Sequence, residues 1–496
     1  MAIETELKLR IAPEHLARLK RHPFLRALSG ERAVTRQLYS VYFDTPDLRL
    51  HHERMALRLR RVGKQWLQTL KGGGGVRAGL HQRNEWETPV DGERLDFAAL
   101  EAAGASALSS SLRKQVQPLF VTDFTRSIRM LQFEGATIEL SLDSGEIRAG
   151  KNSHIISELE LELKSGEPLQ LYRLALALLD IVPLEIEATS KAEYGYRLHL
   201  PVSAQVSKAQ LPKLAAATPL GEALQSMIWS CLLHLQANVS GAVSKTDDEY
   251  LHQVRVALRR LRVVLGMTRK YCGDAELESL RGMVAELGTT LGRSREWDVF
   301  VTQVLPGLRQ DMRQDKLLST IVRRSEVQRK QAHQRVQAVL QAGDFQRLLL
   351  RFGAWMYGEY WHDNIVRDDL SRFAATVMHK RSRKLGRYGE HIVEDTDARE
   401  LHRLRIACKN LRYSSDLFVP LYAAEQTTPY LKALAKLQDT LGVFNDHAVA
   451  LRLLDELELG AAHIALIRKR ILQGDAQRLA LLRKAWKKLM AQADFW

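Results

Sequence analysis

Cysteine is scarce in this chain: three residues among 496, Cys231, Cys272 and Cys408. They are odd in number, far apart and set among residues at helical spacing, so neither a disulfide framework nor a zinc site is expected. Long apolar runs are missing too, and no segment is long and charge-free enough to span a bilayer. The opening "MAIETELK" has no basic region followed by an apolar run, as a signal peptide requires, and a cytoplasmic protein is expected. No Ser/His/Asp or Cys/His set stands out, so nothing points to nucleophilic catalysis. In "YSVYFDTPD", Tyr42 and Asp44 read as residues that pack and turn a strand. The glycine run "KGGGGVRAG", residues 71–79, lacks the Gly-Lys-Ser/Thr ending of a phosphate loop and opens no helix, so it reads as a hairpin connection.

Charge is unevenly placed. The net charge is +15, yet residues 1–200 hold 28 Lys and Arg against 26 Asp and Glu. Residues 201–496 hold 45 against 32, so +13 of the excess lies there. Such asymmetry suggests an anionic partner for the second part: nucleic acid, a membrane surface or polyphosphate. The length implies two or three domains. A stretch rich in Ser, Ala, Gln and Pro, "PVSAQVSKAQLPKLAAATP", begins at Pro201 and reads as a linker. This places a first domain at 1–200, a linker at 201–217 and a second domain at 218–496. Before the linker, short alternating segments dominate, with a few helices such as "PLQLYRLALALLD"; after it, apolar residues recur at helical spacing. The fold class is α+β and multidomain, antiparallel β first and all-α second.

The alternating segments carry charge on one parity. In "IETELKLR", Glu4, Glu6 and Lys8 oppose Ile3, Thr5, Leu7 and Leu9. Arg58 and Arg60 oppose Leu57 and Leu59; Arg83, Glu85 and Glu87 share a parity; Glu139 and Asp143 oppose Ile138, Leu140 and Leu142. Glu158, Glu160, Glu162 and Lys164 oppose Leu159, Leu161 and Leu163. A sandwich with polar outer faces would give any one of these strands. Across five strands, however, acidic and basic groups concentrate on different strands, which a closed barrel with a charged interior explains better. Its apolar outer face then needs cover from helices of the same domain. Converging carboxylates suit a hard divalent cation such as magnesium or manganese, and the cationic strands suit a polyphosphate.

The ordered set "IETELK", "YFDTPD", "ALRLRR", "TLK", "HQR" and "ELELEL" resembles the CYTH domain of the triphosphate tunnel metalloenzymes, over essentially all of residues 1–200. The resemblance implies an eight-stranded antiparallel barrel with flanking helices, forming a tunnel that binds a triphosphate with divalent metal. It implies metal ligands at Glu4, Glu6, Asp143, Glu160 and Glu162, leaving open which two of Glu158, Glu160 and Glu162 serve. It implies substrate-binding cations at Lys8, Arg58, Arg60, Lys71, Arg83, Arg126 and Lys191, and catalytic roles for Glu4, Glu6 and Lys8.

The second part contains a repeat. "LHQVRVALRRLRVV" from Leu251 matches "LHRLRIACKNLRYS" from Leu401, and "LGTTLGRSREWD" from Leu287 matches "LQDTLGVFNDHA" from Leu437, both at an offset of 150. His252, Arg255, Arg259 and Arg262 fall on one helical face, as do His402, Arg405, Lys409 and Arg412, each beside an apolar stripe. In "MHKRSRKLGR", His379, Arg383 and Arg387 share a face next to Lys380 and Lys384. A basic helical face is ordinarily just solvated. A doubled one is harder to explain that way, because like charges four apart repel unless something binds them. The first copy has Arg295 and Asp298 where the second has Asn445 and Ala448, so their loop roles are not expected to match.

This repeat resembles the CHAD domain over roughly residues 218–490. The resemblance implies two pseudo-symmetric helical bundles, about 218–350 and 360–490, around a basic groove that binds inorganic polyphosphate through these cations. CYTH followed by CHAD is similar to the bacterial inorganic triphosphatases. The expected activity is divalent-metal-dependent hydrolysis of triphosphate to pyrophosphate and phosphate. Two alternatives stay open: hydrolysis or cyclisation of a nucleoside or thiamine triphosphate, and a non-catalytic polyphosphate scaffold. Base stacking on the basic helices would need interleaved aromatics, which are few, so nucleic acid is not an expected partner; nor is a membrane.

Overall fold

Alternation becomes strand structure, and the two parities part company across the wall of a barrel. The computed structural model describes residues 2–77, 79–105, 110–200, 205–244, 247–269, 271, 273–311, 316–358, 361, 369–390 and 397–496. Cys272 and the first four linker residues lie outside these, while Cys231 and Cys408 are buried free thiols. The chain forms two units, Met1–Gln205 with Ala342–Gly358, and Val206–Gln341 with Glu359–Trp496. Among the described residues no helix is long and apolar enough to cross a membrane.

The first unit is built on β1 (Ala2–Ile11), β2 (Val34–Asp44), β3 (Ala56–Val62), β4 (Gln65–Arg77), β5 (Leu80–Val90), β6 (Gln117–Phe133), β7 (Ala136–Ala149), β8 (Asn152–Ser165) and β9 (Leu184–Ile186). The order is β5-β4-β3-β2-β6-β7-β8-β1-β9, and a β1–β5 pairing closes the first eight into an antiparallel barrel. β5 covers β1 from Ala2 to Leu7, and β9 takes over the edge from Leu9 to Ile11. Leu7 and Leu9 of β1, Leu140 of β7 and Leu159 and Leu161 of β8 point outward into the main core. Helices α1 (Pro13–Arg21), α2 (Pro23–Ala27) and α6 (Pro168–Leu179) cover them with Leu19, Leu25, Leu171, Leu174 and Leu178. Burying such side chains is worth about 1.5–3 kcal/mol each, which makes an apolar outer wall tolerable only under helices.

The barrel interior is not charged throughout. Phe120 and Phe124 share parity with Arg126 and so face inward, as do Ile147 and Ile156 on neighbouring strands. These residues and Tyr42 form a separate apolar cluster with Ala192 and Tyr196 of α7 (Lys191–His199). At Gly195, an added Cβ would lie 2.1 Å from the Phe120 ring, so the helix enters where only glycine fits. Asp44 does turn the chain: its carboxylate accepts from the amides of Thr45, Leu50 and His51 and from the Tyr196 hydroxyl. Three short helices, α3 (Arg49–His52), α4 (Phe97–Ala102) and α5 (Ser110–Arg113), flank the remaining strands.

The second unit contains α8 (Leu220–Ser244), α9 (Asp248–Thr268), α10 (Ala275–Val299), α11 (Leu305–Asp311) and α12 (Lys316–Gln341). After a segment of the first unit follow α14 (Leu370–Gly389), α15 (Ala398–Phe418), α16 (Ala424–Glu456), α17 (Ala461–Ile471) and α18 (Asp475–Met490). α9 and α15 have 21 residues each at the offset of 150, and both start on an aspartate cap, Asp247 and Asp397. Arg295, Asp298, Asn445 and Ala448 lie on α10 and α16, so the loop roles expected for them give way to helical ones. Asp298 is buried with Arg329 and His333, at 2.8 Å from each, whereas the second repeat joins His447, Asp475 and Arg478. The described part of the linker lies along α8, where Ser207 and Asn238 exchange two hydrogen bonds.

One segment departs from the linear division. Helix α13 (Gly343–Met356), at the seam between the two repeats, packs on α6 and β9 and belongs to the barrel unit. Its Leu350 is fully buried in the barrel's main core.

Candidate functional site

The inward charges of the barrel meet in a cavity of about 260 Å³. Glu4, Glu6 and Lys8 of β1 line it with Arg58 and Arg60 of β3, Lys71 of β4, Arg83 of β5, Arg126 of β6, Glu160 and Glu162 of β8, and Lys191 at the start of α7. Register makes the pattern: Lys8 lies opposite Glu160, Glu6 opposite Glu162, Glu4 opposite Arg83, and Arg126 opposite Asp143. Tyr42, Ala56, Glu85, Glu87, Lys164, Ser190 and Ala192 complete the lining. For Glu85, Glu87 and Lys164 the parity shared with Arg83 and Glu162 was the available signal. Tyr42 both packs, stacked 4.7 Å from Phe120, and faces the cavity.

Most of these charges answer one another. Lys8 Nζ bridges Glu160 at 2.8 Å and Glu6 at 3.1 Å, and Lys71 Nζ reaches Glu4 at 2.5 Å and Glu85 at 3.3 Å. Lys191 Nζ sits among Asp143, Glu158 and Glu160 at 2.8, 2.7 and 2.9 Å. Arg126 forks onto Asp143 at 2.8 and 2.6 Å and also binds Glu160. Burial works hardest against the charge of Glu6, and Glu160 adds to it, but Lys8, Lys71 and His81 together hold the carboxyl at about 2. Burial, with Arg58 and Arg126 alongside, pulls the Arg60 guanidinium down to about 9; it donates to Ser40 Oγ. An anion entering here would relieve that repulsion.

The carboxylates divide into two groups. Asp143, Glu158 and Glu160 bring oxygens within 4.8 Å of one another, yet the Lys191 ammonium already stands between them. Asp143 is fully buried and does not line the cavity, and neither does Glu158. Glu4, Glu6 and Glu162 face the cavity instead. Burial pushes the Glu162 carboxyl up, and Glu4 and Glu139 add to this against the pull of Lys164. Hard oxygen donors lining one cavity, with Glu4 raising the Glu162 carboxyl, fit a divalent cation, which would relieve that repulsion. A second acidic–imidazole cluster, Asp248, Asp298 and His333 in the helical unit, already holds the Arg329 guanidinium.

In the helical unit a cavity of about 1060 Å³ gathers cations from both repeats. Arg255, Arg259 and Arg262 of α9, Arg405 and Lys409 of α15, and Lys380 and Lys384 of α14 line it, joined by Arg281, Arg372 and Arg381. His252, His379, Arg383, Arg387, His402 and Arg412 are not brought into its wall. On α14 the face is set by Phe373, Ala374 and Met378 turning into the core, which rotates Lys380, Arg381 and Lys384 to the cavity in place of His379, Arg383 and Arg387. Burial, then Arg259, Arg405 and Arg255, bring the Lys409 ammonium down to about 6 against the pull of Asp446.

A closed barrel with a charged interior, followed by a helical unit with a basic cavity, defines a two-domain class. The CYTH domain family matches residues 2–196, the CHAD domain family matches residues 226–455, and the chain belongs to the proteins that carry both. Over 205 residues it is 33% identical to an inorganic triphosphatase of Haemophilus influenzae, covering 40% of this chain and 55% of that protein. The chain thus spans about half the length of that curated relative. A crystal structure of the CHAD domain from the plant Ricinus communis is 31% identical, with a TM-score of 0.50 over 57% of this chain and 96% of that one. A putative adenylyl cyclase from Hippeastrum, described as having a dominant triphosphatase activity, is 20% identical with a TM-score of 0.31, over 40% of this chain and 97% of its own.

Proposed function

We propose that the barrel hydrolyses inorganic triphosphate to pyrophosphate and phosphate with Mg²⁺ or Mn²⁺, and that the helical unit binds inorganic polyphosphate. One observation carries the reading: a bank of carboxylates and a bank of guanidinium and ammonium groups share one small barrel cavity. Similarity to an inorganic triphosphatase supports it. Glu4, Glu6 and Glu162 would hold the metal, with Glu160 alongside. Bound there, a divalent metal supplies Lewis-acid neutralisation of phosphate oxygens and a more acidic water. Arg58, Arg60, Arg83 and Arg126 take the phosphate oxygens in forked hydrogen bonds, for which guanidinium is better shaped than ammonium. Lys8 and Lys71 answer the charge that moves onto the leaving pyrophosphate as the bridging P–O bond breaks.

A phosphate-release screen of the full chain tests this. Triphosphate, long-chain polyphosphate, ATP and thiamine triphosphate are each offered with Mg²⁺, with Mn²⁺ and with chelator. Triphosphate should be turned over fastest, and chelation should abolish the activity. Faster release from ATP or thiamine triphosphate would shift the reading to an organic substrate. No release from any of them would leave a polyphosphate scaffold.

A further inference from the structure

The barrel unit takes one helix from deep inside the helical half of the sequence, and that helix reaches β9, the short strand paired with the one carrying Glu4, Glu6 and Lys8. Gln346 of α13 is buried, and its Oε1 accepts the backbone N–H of Ile186 at 3.0 Å. Ile186 ends β9, the three-residue strand that continues the edge of β1 where β5 stops. The next amide, Glu187 N–H, donates to the Lys8 carbonyl at 2.9 Å, while the Lys8 amide donates to the Gly79 carbonyl at 3.1 Å. Alternate amides of a strand point to opposite edges, so Ile186 presents its N–H away from β1. A strand of three residues has little pairing of its own, and a buried amide without an acceptor is costly. Gln346 supplies that acceptor.

The docking of α13 is close. An added Cβ at Gly353 would lie 2.1 Å from Tyr172 Cε1, and the Tyr172 hydroxyl donates to the Arg77 carbonyl at 3.0 Å. The side chain of Ile186 in turn fills the space above Gly79, where a Cβ would meet it at 2.5 Å. Helix, β9 and the β4–β5 hairpin therefore meet around the Lys8 backbone.

We propose that Gln346 is a positioning residue for the barrel cavity, acting through Ile186 and Glu187 to hold the Lys8 stretch of β1 in register. Its role in turnover rests on the triphosphatase reading; its role in seating β9 does not. In the full chain, Gln346→Met keeps the length of the side chain but removes the acceptor. Hydrogen exchange at the Ile186 and Glu187 amides should then quicken about tenfold or more, while amides of the β6–β7 ladder keep wild-type rates. In the same variant kcat/KM for triphosphate should fall by about tenfold, chiefly through kcat, since Lys8 answers charge that develops only as the bridging P–O bond breaks. Gln346→Glu retains an acceptor and should restore both. Gly353→Ala, which pushes α13 from Tyr172, should quicken the same two amides by an independent route. Wild-type exchange at Ile186 in Gln346→Met would overturn the proposal. So would equal loosening of every barrel amide, or equal loss in Gln346→Met and Gln346→Glu, since each would show only general destabilisation. If the wild-type chain turns over no triphosphate, the triphosphatase reading fails while the exchange data still decide the role of Gln346.

Discussion

Replacing Glu4 and Glu6 together by Gln in the full chain is expected to lower triphosphate turnover by about a hundredfold to a thousandfold or more, as loss of a metal's charge stabilisation does. Both carboxylates line the cavity, and glutamine keeps their volume while removing the anionic oxygens a divalent cation needs. The substrate cations stay in place: Lys8 retains Glu160 at 2.8 Å and Lys71 retains Glu85 at 3.3 Å. KM should therefore change far less than kcat. Stability should respond to pH in a defined way. Glu6 is held at about 2, below its ordinary 4.5, because Lys8, Lys71 and His81 together overcome its burial and the Glu160 charge. A depressed carboxyl stabilises the fold above its ordinary value, and that contribution is lost as pH falls from about 4.5 toward 2. Melting curves of wild type and variant should thus differ more at pH 7 than at pH 3. Undiminished turnover in the double variant would end the assignment of these residues to metal.

The second large effect concerns the helical unit. With divalent metal chelated, Arg255→Ala with Arg405→Ala should weaken binding of long-chain polyphosphate by about a hundredfold at low salt. The slope of log affinity against log salt should flatten by about 1.4, roughly 0.7 for each cation removed from contact with a linear polyanion. Both side chains line the basic cavity, one from each repeat. Binding should also take up protons. Lys409 sits at about 6, below an ordinary lysine, and an incoming polyanion favours its charged form. Above pH 6 each bound polyanion therefore has to recruit a proton, and affinity should decline as pH rises toward 10. Titrations in two buffers of different ionisation enthalpy measure that uptake, and Lys409→Met should remove it. Unchanged affinity and slope in the double alanine variant would show these faces to be merely solvated.

Much of the barrel was legible because strand parity is a local property. Glu4, Glu6 and Lys8 alternate with Leu7 and Leu9, and the register carries each set to one side of the wall. Parity does not say what stands beside a side chain along the barrel axis. Phe120, Phe124, Ile147 and Ile156 share the inward face with Arg126 and Glu158, and their alternation looks the same whether they meet charge or α7. Asp143 illustrates the same limit, since its parity is right but Arg126 and Lys191 consume its oxygens. The repeat was equally legible in α9 and α15. On α14 the face was read one step away because Lys380, Arg381, Arg383 and Lys384 crowd every direction with charge, and only the core contacts settle the rotation. Helix α13 left no local mark at all. Its bond to Ile186 spans 160 positions, and its apolar stripe would suit either unit.

That long reach has a bearing on how the protein is made. A ribosome delivers β9 well before it delivers Gln346, and the intervening residues take roughly 10–30 s at ordinary elongation rates. Until then the main core of the barrel lacks Leu350, and the Ile186 amide has no glutamine to receive it. The barrel, synthesised before the helical unit, is therefore the one that must wait. Its completion becomes a checkpoint passed only when α8 to α12 have already left the exit tunnel, so a chain truncated within the first helical repeat carries an unfinished barrel.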